Sequence, residues 1–320
     1  MSVAEIQAAE STPLPLPPRE GRVGVADGVD LAFLRWDGAG VPFLLVHGLA
    51  SNARLWEGVG AALAAAGHPV VAVDLRGHGR SSRPDAGYDF ATIAADLAAL
   101  VSLLGLHRPI LAGQSWGADV ALETATRFPG LLRGIVLVDG GLVDLADRFP
   151  SWAACRERLA PPRLEGLPVA RIESHLRAAH ADWADWGIRA VLANFEVRPD
   201  GTITPRLSHE HHLAILRALW EHRPSELLPA VGSPVLVAPA DTGDGDWTAD
   251  KRAAADLAVR RADRVRVRWF APADHDIHVQ QPAALAGVLL AALADGFFPA
   301  DPADPAEQAD PADPARDPAR

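Results

Sequence analysis

Short aliphatic and β-branched runs recur along this chain, separated by longer stretches rich in alanine and leucine. The runs at 41–47, 70–75, 110–114, 134–139, 235–240 and 265–270 read as strands. Two earlier runs, 21–25 and 31–36, flank Asp27-Gly28 and read as a hairpin. Helical pattern follows most of the later strands, at about 53–66, 89–105, 117–128, 248–261 and 281–294. Continuous apolar strands alternating with helices indicate a parallel sheet buried on both faces, so the fold class is α/β and doubly wound. The leading hairpin supplies an antiparallel edge.

The rhythm breaks between 141 and 230. That interval carries helical pattern, four tryptophans (Trp152, Trp183, Trp186 and Trp220) and a turn signal at Arg198-Pro199-Asp200-Gly201. It reads as a helical cap inserted after the sixth strand, above the strand ends where open α/β sheets bind ligands. The expected organisation is a disordered arm at 1–19, a core made of 20–140 and 231–297, the cap at 141–230, and a disordered tail at 298–320. Both ends are rich in proline, and the tail repeats Asp-Pro-Ala, a composition with nothing apolar to bury.

Composition narrows the function classes. The 320 residues carry a formal charge of −11, which gives no electrostatic footprint for nucleic acid or an anionic membrane surface. Cys155 is the single cysteine, so no internal disulfide and no thiolate metal cluster can form. The start lacks the pattern of a signal peptide, and no apolar segment approaches the roughly 18–20 residues of a membrane span. The expectation is a soluble cytoplasmic protein whose partner is a small-molecule substrate. Lys251 is the only lysine among 30 basic residues, a bias read as codon usage.

The chemistry concentrates at Gly113-Gln114-Ser115-Trp116-Gly117, where an apolar strand runs into a helix-compatible stretch. Gly-x-Ser-x-Gly in a strand–turn–helix context is a nucleophile elbow. Side chains two positions either side of a serine in so tight a turn would collide, and glycine at both places removes the collision. The serine hydroxyl is then exposed above the sheet, and the Trp116 amide at the helix start is an oxyanion donor. Upstream, the strand at 41–47 ends in His47-Gly48-Leu49, and Asp74-Leu75-Arg76-Gly77-His78-Gly79-Arg80-Ser81-Ser82 follows the next strand.

Together these segments resemble the α/β-hydrolase superfamily over roughly 21–140 and 232–295. The resemblance implies that Leu49 supplies the second oxyanion amide and that His47 is structural. It places the catalytic base in the loop after the last strand, where His275 stands; His278 lies three residues farther on. The acid follows the strand after the cap, but the usual register falls on Gly243. A turn one residue longer selects Asp244, with Asp241 and Asp139 as alternatives, the latter after the strand preceding the cap. His209-Glu210-His211-His212 does not have the spacing His-Glu-x-x-His of a zinc site and reads as a solvated or core-facing helix segment. No cofactor or metal is implied.

The expected activity is a serine esterase or lactonase reaction: hydrolysis of a small to medium apolar ester, lactone or amide through an acyl-enzyme. Epoxide hydrolases and haloalkane dehalogenases resemble this architecture but use aspartate where Ser115 stands. Epoxide hydrolases also raise cap tyrosines, whereas the sole tyrosine, Tyr88, lies outside the cap. The elbow is similar to that of proline iminopeptidases, but His47-Gly48-Leu49-Ala50-Ser51 replaces their His-Gly-Gly-Pro-Gly. Two other readings share the same residues. One is carbon–carbon bond hydrolysis on the same triad; the other is a non-catalytic ligand-binding protein of the same fold.

Overall fold

The computed structural model describes residues 16–243 and 245–300. Eight strands form one sheet in the order β1-β2-β4-β3-β5-β6-β9-β10. β1 (Arg19–Ala26) and β2 (Val29–Trp36) are the antiparallel hairpin, closed at Asp27-Gly28 with Gly28 at φ 69°. β2 also runs antiparallel to β4 (Val70–Val73). The remaining neighbours, β3 (Phe43–Val46), β5 (Ile110–Gln114), β6 (Gly134–Val138), β9 (Val235–Ala238) and β10 (Val265–Val267), are parallel.

Successive side chains along a strand point to opposite faces, and two apolar clusters divide accordingly. Leu44, Val46, Leu111, Ile135, Leu137 and Val237 join one cluster, with Ile93, Leu97, Val120 and Leu122 from α2 (Phe90–Leu103) and α3 (Trp116–Arg127). Phe43, Leu45, Ile110, Val136, Val138 and Leu236 join the other. There they meet Val59 and Leu63 of α1 (Glu57–Ala65) and Leu285 and Leu289 of the last helix. Helices on both faces explain why the central strands are apolar up to Gln114 at the end of β5. Burying a Leu, Ile or Val side chain contributes about 1.5–3 kcal/mol, so this double cluster is the main source of fold stability.

Between β6 and β9 the chain forms α4 (Leu145–Arg148), α5 (Trp152–Leu159), α6 (Val169–Ala179), α7 (Asp185–Leu192), α8 (His209–Glu221) and α9 (Pro224–Leu227). The interval is not wholly helical. β7 (Phe195–Val197) and β8 (Ile203–Pro205) pair antiparallel around the 198–201 turn, where Asp200 accepts hydrogen bonds from the Thr202 amide and hydroxyl. A sequence reading by helical period passes over strands this short.

The interval is anchored to the sheet layer at several points. Trp183 packs with Leu55, Ile188 and Val279, and Asn52 donates to the Ala190 carbonyl at 2.8 Å. His222 lies between Asp119 (3.1 Å) and Glu123 (3.4 Å) of α3.

α10 (Gly245–Arg261) precedes β10, and α11 (Ile277–Gln280) and α12 (Pro282–Ala294) close the described chain. The ends depart from the expected boundaries. Arg19 already pairs in β1, the Leu16 carbonyl accepts the Trp36 indole N–H at 2.7 Å, and Phe298 is buried in the second cluster. Residues 1–15 and 301–320, the bulk of the expected arm and tail, lie outside the described residues. No described helix is long and apolar enough to cross a membrane.

Candidate active site

Ser115 sits between β5 and α3 with φ 53° and ψ −125°, a conformation that L-residues adopt only under constraint. The constraint comes from both sides. A Cβ on Gly113 would lie 1.9 Å from the Gly117 carbonyl oxygen, and one on Gly117 would lie 2.5 Å from that of His47. Gly140 is held in the same way, since its Cβ would meet the Ser115 carbonyl oxygen at 2.2 Å. The three glycines let β3, the elbow and the end of β6 close together. The amide of Ser115 donates to the Val138 carbonyl at 2.9 Å, locking the turn to β6.

The loop after β3 is the second wall. A Cβ on Gly48 would be 3.1 Å from the Ser115 Cβ, so the backbone leading to Leu49 passes directly beside Ser115. Trp116 opens α3, where the first amides have no intrahelical acceptor. Two buried histidines shape this loop. His47 accepts the Leu75 amide on Nε2 (3.0 Å), so its proton is on Nδ1, which donates to the Gly48 carbonyl at 2.7 Å. His78 repeats the arrangement with the Ala50 amide (3.2 Å) and the Arg76 carbonyl (2.9 Å). Burial lowers the pKa of both rings. Both are scaffold groups with each nitrogen committed to backbone.

The motif beginning at Asp74 has a scaffolding explanation too. The Asp74 carboxylate accepts the Ala53 amide at 2.7 Å and the Arg80 amide at 2.8 Å. Arg76 grips Asp96 of α2 in a buried bidentate pair at 2.6 and 2.7 Å.

His275 lies in the loop after β10, its ring half-exposed. Its backbone carbonyl accepts a hydrogen bond from the Gln114 side chain at 3.2 Å, which brings the loop against the residue preceding Ser115. Its Nδ1 meets Asp139 Oδ2 at 2.6 Å. A carboxylate only accepts, so Nδ1 carries the proton and Nε2 is the nitrogen left to take another. Surrounding protein lowers the imidazole pKa, but the Asp139 hydrogen bond and charge outweigh it, and the net shift is upward.

Asp139 follows β6 directly, at φ 46°, with its side chain almost fully buried. Oδ1 accepts the Ala240 amide at 2.8 Å, and the Lys251 ammonium of α10 reaches both carboxylate oxygens, 2.8 Å from Oδ1 and 3.0 Å from Oδ2. Burial raises the carboxyl's pKa, but His275 and Lys251 more than offset that, so it stays below the ordinary aspartate value.

The structure therefore brings Asp139 to His275. The Asp241 alternative points elsewhere: it accepts from the Gly243 amide (3.2 Å), the Thr248 hydroxyl (3.2 Å) and Arg252 (3.2 Å) at the start of α10. Asp244, the residue preferred on register, lies outside the described residues. The His275 nitrogen that an acid would hold is already taken by Asp139. The acid expected after β9 is not the carboxylate that meets His275 among the described residues. Here the end of β9 instead serves as a backbone clamp on Asp139, through the Ala240 amide.

His278 is fully buried against Trp56 at a ring separation of 4.6 Å, with burial pushing its pKa down to about 3. Of the His209–His212 run, His211 stacks on Tyr88 at 4.3 Å and His212 is lowered to about 4 by burial. Two residues at the site were not singled out from the sequence. Gln114 lies inside the elbow, but its type carries no signal. Lys251 did carry one, as the sole lysine in an arginine-rich chain.

A sequence model of the alpha/beta hydrolase fold matches residues 41–282. The chain belongs to this family. A soluble epoxide hydrolase of Corynebacterium sp. is 30% identical over 185 residues, covering 55% of this chain and 59% of that protein. An uncharacterized protein of Mycobacterium tuberculosis is 40% identical over 144 residues, covering 43% and 42%. The chain thus aligns with less than two thirds of the length of these curated relatives. Among solved structures, E-2-(acetamidomethylene)succinate hydrolase has a TM-score of 0.69 at 23% identity over 87% of this chain and 99% of that one, a likeness of fold. Two of these three carry the name of a hydrolase.

A cavity of about 640 Å³ opens on the β1–β2 side and is lined by Arg22, Arg54, Arg80, Arg206, Glu20 and Asp74. Its arginines are already committed: Arg22 to Asp30, Arg54 to Glu20 and Glu57, Arg80 to Glu20, and Arg206 to Glu196. Its lining includes neither Ser115 nor His275.

Proposed function

We propose that this protein is a serine hydrolase that cleaves a small to medium apolar ester, lactone or amide through an acyl-enzyme. The Asp139–His275 hydrogen bond beside a strained Ser115 carries this reading. Ser115 Oγ attacks the substrate carbonyl while His275 Nε2 takes its proton, and the charge forming on the ring is balanced by Asp139. The Leu49 and Trp116 amides stabilise the oxyanion. His275 then returns the proton to the leaving group, and water, deprotonated by the same nitrogen, releases the acid and restores Ser115.

Serine at position 115 sets this chemistry apart from the epoxide hydrolases the chain resembles, which use an aspartate there. The segment between β6 and β9 is the cap in this proposal, and its tryptophans support an apolar substrate. Trp183, packed on Val279, reaches the helix that follows His275. The half-exposed side chain of His275 is consistent with a base that must meet substrate and water.

The test is hydrolysis of p-nitrophenyl acetate and butyrate by the full chain and by Ser115→Ala. A burst of p-nitrophenol equal to the enzyme concentration, absent in the variant, supports the acyl-enzyme. Equal rates for the two proteins would remove Ser115 from the mechanism.

A further inference from the structure

Lys251 stands out once the site is assembled. The chain uses arginine at nearly every basic position, yet its one lysine is placed on the buried carboxylate that holds His275. Its side chain is only 13% exposed, and its ammonium donates to Asp139 Oδ2 at 3.0 Å and to the Ala240 carbonyl at 3.0 Å, with Asp139 Oδ1 2.8 Å away in the same ion pair. The same Ala240 donates its amide to Asp139 Oδ1, so lysine, carboxylate and the end of β9 form a closed ring of hydrogen bonds. The carboxylate is left with a single orientation, in which Oδ2 meets the His275 Nδ1.

The ionic surroundings make the lysine's charge consequential. Around His275 lie Asp139 after β6, Asp276 on its own loop, Lys251 from α10 and the buried, uncharged His278 of α11. His180, from the α6–α7 connection, faces Asp274 at 3.7 Å. Lys251 brings the one ammonium of this set. A buried carboxylate facing only an imidazole would hold a proton on that ring at neutral pH. Sharing the carboxylate with a fixed ammonium weakens that pull.

We propose that Lys251 is a positioning residue of the proton-transfer step: its ammonium fixes the Asp139 carboxylate for His275 and shares its charge, so that the imidazole is neutral when Ser115 attacks. No proton passes to or from Lys251. The proton moves from Ser115 Oγ to His275 Nε2, and the ammonium keeps all three of its own. Lysine suits the role because it is a compact point charge, whereas the guanidinium fork of arginine needs a wider, planar approach. This inference rests on the serine-hydrolase reading above.

The experiment is the rate of Ser115 labelling by a fluorophosphonate as a function of pH, with full-length wild type, Lys251→Met and Lys251→Arg, and the melting temperature of each. Labelling needs no knowledge of the substrate, and the pH profile separates a charge effect from mere packing. Lys251→Met is expected to move the acid limb up by about one pH unit, read as about tenfold slower labelling at pH 6. Lys251→Arg is expected to return the limb toward wild type while recovering only part of the rate. A Lys251→Met protein whose limb and rate match wild type, whatever its melting temperature, overturns the role of Lys251 and leaves the hydrolase reading intact. Wild-type protein that takes no label on Ser115 overturns both.

Discussion

The carboxylate of Asp139 and the imidazole of His275 meet at 2.6 Å although 136 positions separate them in the chain. Asp139 stands at the end of β6 and His275 in the loop beyond β10, two strands away in the sheet. Parallel strands place all their C-terminal ends along one edge, so residues remote in sequence converge there. Ser115 after β5 and Leu49 after β3 complete the same row.

In the proposed mechanism Asp139 is the acid, the member most directly tested by substitution. Asp139→Asn keeps the shape but offers an amide where Nδ1–H needs a charged acceptor, and the ring loses its reactive tautomer. A fall in kcat of about 10³–10⁴-fold is expected, the scale of such changes in other hydrolytic triads. Asp241→Asn and Asp244→Asn are expected to stay within a few-fold of wild type. Steady-state kinetics on one p-nitrophenyl ester decides among the three.

The acid limb of kcat/KM follows from the direction of the His275 shift. In the proposed mechanism His275 must be neutral to act as base, and its pKa lies above the ordinary value of 6.5 because Asp139 outweighs the surrounding desolvation. Activity should therefore fall as pH drops through a midpoint above 6.5. The profile of kcat/KM against pH checks this; a midpoint below 6.5 would contradict the Asp139 contact.

Gly113 has no space for a side chain, with Gly117 O at 1.9 Å from where its Cβ would be. Gly113→Ala must push α3 away from the sheet, at a cost of about 2–4 kcal/mol. Urea unfolding should show the loss, together with slower labelling of Ser115. Gly166→Ala lies at a positive-φ turn with nothing within 4 Å, so it should cost only the local backbone strain.

His222 couples stability to pH. Burial alone would lower its pKa, but Asp119 and Glu123 raise it to about 9. A raised histidine pKa contributes stability that is complete below the unfolded value of about 6.5 and is lost as pH rises through 9. Unfolding free energy should therefore fall by roughly 2–3 kcal/mol between pH 6.5 and 9.5. His222→Gln should remove most of that slope in chemical denaturation at a series of pH values.

Much of this was readable from residues because the strongest constraints are local. Gly113 and Gly117 announce the elbow, since a turn that tight tolerates no Cβ at either place. The central strands announce a doubly covered sheet because Phe43–Val46 and Gly134–Val138 have no polar position. The Asp139–His275 pairing is a tertiary contact, and residue type alone does not distinguish Asp139 from Asp241 or Asp244. The hairpin of β7 and β8 was hidden for another reason. Its strands of three residues each sit among helices, too short for period-two alternation to register. Lys251 shows the opposite case, a compositional oddity assigned to codon usage that turned out to lie on the buried carboxylate beside His275.

The central claim is that Ser115 is a nucleophile activated by His275. Fluorophosphonate labelling of the full chain, followed by peptide mapping, tests it without any assumption about substrate. The account predicts one label per chain on Ser115, with labelling abolished in Ser115→Ala and strongly slowed in His275→Ala. Folded wild-type protein that takes no label, or carries it on another residue, would contradict it.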